Sequence, residues 1–546
     1  MTSTSSDLYD YIVVGAGSCG SVLAGRLSED PSTRVVLLES GPPDTSVWIH
    51  LPIGYGKTMW DPKVNWKFQT DPDPGMNNRR IYWPRGKTLG GSSSINGLIY
   101  IRGQREDYDH WAALGNDGWG YSDLLPYFIR SEGNQRGASD YHGGDGPLRV
   151  SDIDARHELI EAFIGGANEI GVPRTDDFNG ARQEGAGYYQ LNTHRGWRCS
   201  TAKAYLTPAK SRSNLRIECN AHATRVLFEG TRAVGITYVQ HGVEKTLHCT
   251  REVLLAAGAL QTPQLLQLSG VGPAALLSGF GIPVVAAIEG VGGNLQDHLQ
   301  FRLQYECTKP ITTNDELNSL FGRIKIGLQW LFQRSGPLAI GINQGGCFMR
   351  ALRDDDIDPV ERARPDIQFH VATLSADMAG GKVHPFPGFT MSVCQLRPES
   401  RGQVRIKSLD PFEAPSMQPN YLSTDLDRRT AIAACKAARA IASTQAMQPY
   451  VKREFKPGPE AGDDAALLEF CRNYGATIFH PSGTAKMGPA DDPLAVVDTR
   501  LKVRGLDGLR IVDCSIMPAL PSGNTNAPAV AIAEKAVDLI RGEPAR

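Results

Sequence analysis

Tyr9–Asp10–Tyr11–Ile12–Val13–Val14–Gly15–Ala16–Gly17–Ser18–Cys19–Gly20 is an apolar run that stops in a glycine turn. Its first part has the character of a strand buried on both faces. The Gly15-x-Gly17-x-x-Gly20 spacing lets backbone amides and a helix N-terminus approach a pyrophosphate with no Cβ in the way. Each glycine has its own reason: a tight turn, close approach of a ligand, and close packing of helix on strand. Beyond the turn, Ser21 to Leu27 puts Val22, Leu23 and Leu27 on one helical face. Arg34–Val35–Val36–Leu37–Leu38–Glu39 then reads as the next buried strand. Glu39 stands where a carboxylate accepts a hydrogen bond from a ribose 2′-hydroxyl, and an acid there disfavours a 2′-phosphate. The unit is therefore a βαβ dinucleotide site, and by itself it does not separate NAD from FAD.

At 546 residues the chain is too long for one ordinary core, so two domains are expected. The hydrophobic fraction of 41% and charged fraction of 21% are those of a globular protein. With 57 basic against 59 acidic side chains, the net charge of −2 gives no electrostatic case for nucleic acid or an anionic membrane. The ten cysteines are scattered, with no Cys-x-x-Cys pair and no Cys/His cluster, so neither a metal site nor a disulfide framework is expected. Met1 to Asp7 is polar and the first strand follows at once, which leaves no room for a signal peptide. No apolar run is long enough to span a bilayer, and the expected location is cytoplasmic.

From Gly41 to about Asn78 the chain is rich in Pro, Gly and Trp, and it reads as an extended excursion over the surface. Strands are expected again at Leu215–Ile217, Thr224–Phe228 and Glu252–Leu255, with a helix starting at Thr262–Pro263. The middle of the chain changes character. Gln368–Val371, Thr390–Cys394 and Gly402–Ile406 are short alternating strands, beside an Ala-rich helix from Arg428 to about Ser443. The expected fold is α/β: a Rossmann-like dinucleotide domain (1–155, 212–305 and 470–546) interrupted by a discontinuous substrate domain (156–211 and 306–469) built on an antiparallel sheet flanked by helices.

Further segments separate FAD from NAD. Gly86–Lys87–Thr88–Leu89–Gly90–Gly91–Ser92–Ser93–Ser94–Ile95–Asn96–Gly97 resembles the first signature of the glucose–methanol–choline (GMC) family of FAD oxidoreductases. The stretch from Gly258 to Gly272 is similar to the second. Gly292–Gly293–Asn294–Leu295–Gln296–Asp297–His298 and Ile511–Val512–Asp513–Cys514–Ser515–Ile516–Met517–Pro518 are similarly placed in that family. The likeness runs end to end and is closest in flavour to the choline-dehydrogenase-like branch. It implies a cofactor-binding set of Gly15, Gly17, Ser18, Cys19, Gly20, Glu39, Ser40, Arg85, Gly90, Gly91, Ser92, Asn96, Gly97, Val226, Ala257, Gly258, Asp513, Cys514, Asn524 and Thr525. Within it, Asn96 and Gly97 would approach the isoalloxazine, the backbone of Val226 the adenine, and Asp513 the flavin. Where some relatives carry a histidine bonded to the flavin, this chain has Ile95, so its FAD is expected to be non-covalent.

Near the other end stand Phe479–His480–Pro481–Ser482–Gly483–Thr484 and Pro521–Ser522–Gly523–Asn524–Thr525–Asn526–Ala527–Pro528. Alcohol oxidation by a flavin needs a base for the hydroxyl proton and an acceptor, flavin N5, for the α-hydride. An imidazole with an ordinary pKa near 6.5 can be that base. A carboxamide takes no proton but can donate to the alcohol oxygen. In the family this histidine faces the flavin, so His480 and Asn524 are the expected catalytic pair. Pro528 opens a helix; the family resemblance aims its start at the flavin, where its positive end would stabilise charge on the reduced ring. His298 is expected to support the cofactor region, and His370, His384 and His194 to be ordinary core or surface residues.

The expected reaction is oxidation of a primary alcohol to its aldehyde, with O2 or another electron acceptor completing the cycle. Apolar Ile478 and Phe479 beside His480 favour an uncharged or aromatic alcohol. Asn343–Gln344–Gly345–Gly346–Cys347–Phe348, where choline-acting relatives carry an acid, has none, which counts against a quaternary ammonium. The alternatives are an O2-using oxidase of aryl or furanic alcohols, a hydroxynitrile lyase, an NAD-linked dehydrogenase, and a flavin-binding module without turnover.

Overall fold

In the computed structural model, residues 8–352, 359–378 and 380–542 are described; the polar start, Met1 to Asp7, lies outside them. Two seven-stranded sheets carry the architecture. In the first, the central strand Leu8–Val14 runs parallel to Val35–Leu38 on one side and to the end of Val243–Leu255 on the other. Ile12 and Val13 are fully buried, as a parallel strand covered on both faces requires. Leu215–Glu218 extends this sheet beyond Val35–Leu38, and Leu509–Ile511 pairs in parallel with Val253–Leu255. The two hairpins Ala221–Glu229, Arg232–Gln240 and Val243–Leu255 close the far edge.

Two helices cover the glycine turn. Ser18–Leu27 leaves the turn directly, and Asn526–Arg541 packs against it. Glu534 on the second of these is fully buried, and its charge is met by Arg26 (2.9 Å), Arg130 (2.9 Å) and the Tyr205 hydroxyl (2.8 Å). The C-terminal helix is thereby fastened to the N-terminal βαβ unit, which is what brings the two ends of the chain together.

The second sheet is antiparallel throughout, in the order Val451–Lys456, Leu299–Cys307, Gly388–Gln395, Ile367–Ala372, Asn343–Met349, Gly185–Tyr188. Strand alternation divides its two faces. Along Leu299–Cys307 the odd residues Leu299, Phe301, Leu303 and Tyr305 enter a hydrophobic core shared with the helices Glu158–Glu169 and Asp425–Ala442. The even residues Gln300 and Arg302 face a cavity. This strand begins before residue 306, so the expected boundary at 305/306 cuts through it.

Three expectations need correction. The 41–78 segment is not a surface excursion: Ile49, Val64, Phe68 and Met76 are buried, and Phe68 and Met76 belong to the core of the second sheet. Gly402–Ile406 does form a strand, Gln403–Arg405, but it pairs with Ser416–Gln418 outside the main sheet. The helix expected from Thr262–Pro263 runs from Gly258 to Leu268, with Pro263 inside it.

Candidate active site

A cavity of about 830 Å³ lies between the first sheet and the floor of the second, and Gly17, His480 and Asn524 all line it. The sequence's two ends thus meet at one chamber. Every member of the expected cofactor set lines this cavity except Gly20, Gly90 and Val226. Two of these act one step back. A Cβ on Gly20 would sit 1.8 Å from the Gly15 carbonyl oxygen, so this glycine permits close packing of turn and helix. Gly90, at φ +83°, donates its amide to Ala16 O at 2.8 Å and fastens the second glycine loop to the first. Val226 is a different case. Its amide is engaged by Ser269 Oγ at 2.9 Å, and Ala221, His222 and Ala223 of the same strand face the cavity instead.

The residues present fit a dinucleotide. Gly17 and Gly258 border the cavity with nothing within 4 Å of where a Cβ would stand, so two stretches of bare backbone are open to a ligand. The N-terminal turns of Ser18–Leu27 and Asn526–Arg541 both border the chamber, placing the positive ends of two helix dipoles there. Ser18 Oγ donates to Asn526 Oδ1 at 2.8 Å and locks these turns together. Glu39 accepts from Ala16 N at 3.0 Å and Gly41 N at 2.8 Å, and each oxygen retains a lone pair for a ribose hydroxyl. Burial pushes its carboxyl up to about 7, against the pull of the two amides. Asp513 accepts from Gly258 N, Thr262 Oγ1 and Ser515 N at 2.7–2.9 Å, tying the C-terminal segment to the start of the 258–268 helix.

His480 reaches the cavity on a constrained turn. Phe479, immediately before it, has φ +74°, a left-handed conformation that costs a bulky residue energy. Three hydrogen bonds hold that turn: Arg85 Nη1 to Phe479 O at 2.7 Å, Phe479 N to Thr477 Oγ1 at 2.6 Å, and His480 N to Asp297 Oδ1 at 2.8 Å.

The ring of His480 is oriented by His298, a role sequence reasoning did not find. His298 Nε2 lies 2.8 Å from Leu396 O, which can only accept, so Nε2 carries the proton. Both imidazoles are neutral at pH 7: burial pulls His298 down to about 4, and burial with the neighbouring His298, His370 and Arg85 holds His480 well below the usual range. His298 Nδ1 is then an acceptor, and the His480 Nδ1 2.9 Å away must donate to it. This leaves His480 Nε2 unprotonated, its lone pair accepting from Asn524 Nδ2 at 3.4 Å. Gln368 Nε2 donates to Asn524 Oδ1 at 3.2 Å and turns the carboxamide's NH2 toward the histidine.

His370, expected to be an ordinary residue, also lines the cavity, and burial lowers it to about 3. His384 is buried against Phe386 and Ser375, while His194 is exposed at a short hairpin. His298 ends the Gly292–His298 motif, which marks a cofactor-supporting position but not its contact with His480, and His370 has no local signature. Only the pairing of strands and the 182-residue separation of His298 from His480 bring them in. Among the described residues no group of three or more metal-ligating side chains occurs, and no helix is long and apolar enough to cross a membrane.

The family model for GMC oxidoreductases matches this chain over residues 9–300 in its N-terminal part and 398–533 in its C-terminal part. Mouse mitochondrial choline dehydrogenase is 44% identical, covering 100% of this chain and 91% of its own length. An alcohol dehydrogenase [acceptor] of Pseudomonas putida is 45% identical, covering 98% and 96%. Among solved structures, an Aspergillus oryzae formate oxidase studied for its FAD modification superposes with a TM-score of 0.90 at 25% identity, over 99% of both chains. A glycine cradle joined to a C-terminal histidine and carboxamide, and these end-to-end likenesses, lead to one conclusion: the chain belongs to the GMC oxidoreductase family and is an FAD-dependent oxidoreductase.

Proposed function

We propose that the chain oxidises a primary alcohol to its aldehyde, with His480 Nε2 as the proton acceptor. The observation that carries this reading is the tautomer chain from Leu396 O through His298 to His480, which leaves an unprotonated nitrogen facing the cavity beside a carboxamide donor. FAD, held by the glycine cradle, would supply the hydride acceptor. Asn524 Nδ2 would donate to the substrate oxygen and hold it against Nε2 while the hydroxyl proton leaves. Ile478 and Phe479 border this end of the cavity and give it an apolar wall. The positive end of the Asn526–Arg541 helix favours negative charge accumulating in the chamber during the reaction.

Choline is disfavoured as substrate despite the dehydrogenases that bear its name. Glu39 and Asp513 are the carboxylates among the described residues lining the cavity, and backbone amides engage both. Neither lies on the second sheet, so no acid there is available to a quaternary ammonium. The reading is tested by mixing oxidised holoenzyme anaerobically with choline and with benzylic, furanic and aliphatic alcohols while following the flavin absorbance. Bleaching by a primary alcohol with aldehyde formed in equal amount is expected. No bleaching by any alcohol, with cyanohydrin cleavage instead, overturns it. Re-oxidation by air then distinguishes O2 from another acceptor.

A further inference from the structure

Among the described residues Arg302 is a partly buried cation with no ion pair. It stands on the cavity face of Leu299–Cys307, its Nε is sealed from solvent, and that nitrogen makes no hydrogen bond. No carboxylate acts on it: burial pulls its pKa down, and the one group acting the other way is the Tyr55 phenol. A guanidinium in such a place is costly unless something pairs with it. Other enclosed guanidinium groups among the described residues have partners: Arg198 donates to the oxygens of Ile49, Ser93 and Asn96. Arg102 is paired with Glu132, Arg364 with Asp107, and Arg510 with Glu252. Arg302 is the exception that faces the chamber.

Its surroundings suit an anion. Cross-strand register puts Arg302 opposite Ser392, and Ser392 opposite His370, so the three form one row across the cavity floor. Arg302 and His370 are thus two strand spacings apart, about 10 Å backbone to backbone. His370 lines the chamber with His480 and Asn524 and is close enough to help lower the His480 pKa, so the row runs from the reacting end of the chamber to the guanidinium. Tyr55 also lines the cavity; its oxygen accepts from Ile342 N at 3.3 Å, and burial keeps the phenol protonated, leaving its O–H to donate. Arg323 and Lys382 also line the chamber and add positive potential.

Resting on the alcohol-oxidation reading above, we propose that the substrate is an alcohol bearing a carboxylate, which Arg302 binds through its fork with Tyr55 as a second donor, about one aromatic ring away from the carbinol. The planar guanidinium matches a carboxylate in two parallel hydrogen bonds and positions the far end of the molecule against His480 and Asn524. An uncharged alcohol of the same shape leaves the guanidinium unpaired and binds less well. The apolar walls noted from Ile478 and Phe479 then receive the ring between the two polar ends.

The test uses oxidised holoenzyme and two substrates of one shape, 4-(hydroxymethyl)benzoate and 4-methylbenzyl alcohol. The acid should be favoured in kcat/KM by roughly 10- to 100-fold, the scale of a charged hydrogen-bonded pair. In Arg302→Met this ratio should collapse to near one, with Arg302→Lys in between; FAD content shows that each variant is folded. Turnover of the neutral alcohol without preference for the acid, or a preference that survives Arg302→Met, overturns the proposal. A second measurement is independent of turnover: titration with 4-toluate, a carboxylate that cannot react, followed by the change in flavin absorbance. Tighter binding to wild type than to Arg302→Met supports the anion site even if no alcohol bleaches the flavin, an outcome that would sink only the oxidation reading. Equal binding to both overturns the site.

Discussion

Thr484 Oγ1 donates to the carbonyl oxygen of Ala259 at 2.6 Å, across 225 residues of chain. That carbonyl would otherwise be an orphan. Residue 263 of the Gly258–Leu268 helix is proline, which has no N–H to give to the residue four positions back. The threonine supplies the missing donor, and so the helix continues through a residue that reads as its start. Thr484 belongs to the same segment as His480, so the repair also fixes the catalytic segment against the cofactor cradle.

Thr484→Val keeps the side chain's shape and removes the donor. The buried Ala259 carbonyl is then unsatisfied, at a cost of about 1–3 kcal/mol. We expect a lower apparent Tm and faster loss of FAD on dilution, because Ala259 and Gly258 border the cavity. Thr484→Ser should behave as wild type in both measurements. A Val variant as stable as wild type would mean that the helix closes over Pro263 by itself.

His480→Ala should retain FAD, since the ring is not part of the glycine cradle, and should be reduced by alcohol at least ~100-fold more slowly, the usual scale of general-base catalysis. Anaerobic stopped-flow at saturating alcohol measures this directly. Reduction at a rate near wild type would take the histidine out of the mechanism.

His298→Ala removes the acceptor that fixes the His480 tautomer. Half or more of the rings can then carry the proton on Nε2, and the ring is free to turn. A fall in the reduction rate of roughly 10-fold is expected, with little change in substrate affinity. His298→Asn restores an acceptor oxygen and should recover part of the loss. A merely structural role would show equal damage in both variants.

What was legible in the sequence was whatever local spacing controls. Gly15, Gly17 and Gly20 announce their turn because three backbone constraints fall within six residues. The strands at 368–371 and 390–394 announce themselves by alternation and a β-branched, aromatic composition. The 41–78 segment did not, because its buried residues Ile49, Val64, Phe68 and Met76 follow no period; they fill gaps left by other elements. The backbone of Val226 was expected at the adenine; in the structure the residues of its strand that line the cavity are Ala221, His222 and Ala223. Facing depends on register, and this hairpin's register shifts between Ala223 and Arg225. The contact of His298 with His480, and the places of His370 and Arg302 in the chamber, are not legible because they depend on partners supplied by other strands. A cation is known to be unpaired only once every neighbour is in place.

The pH dependence follows from the depressed histidines. A base held well below 6.5 is already neutral in the ordinary histidine range, so the reduction rate should stay level as pH falls from 8 through 6.5, and its acid limb should lie lower. Stability has the matching sign. His298 has a folded value of about 4, so between 6.5 and 4 the unfolded chain takes up a proton that the folded chain refuses. Its contribution is therefore unchanged above 6.5 and becomes increasingly unfavourable on acidification, to a limit of roughly 3 kcal/mol. Glu39 and Asp297, raised by burial to about 7 and about 6, act in the opposite direction, so the wild-type curve alone does not isolate the histidine. The difference between wild type and His298→Asn does, because the carboxylates are common to both. From pH 7 to pH 5 wild type should lose more Tm than the variant. Equal losses, or an acid limb at 6.5, would show that the His298–His480 pair is hydrated and charged where the cavity geometry makes it dry and neutral.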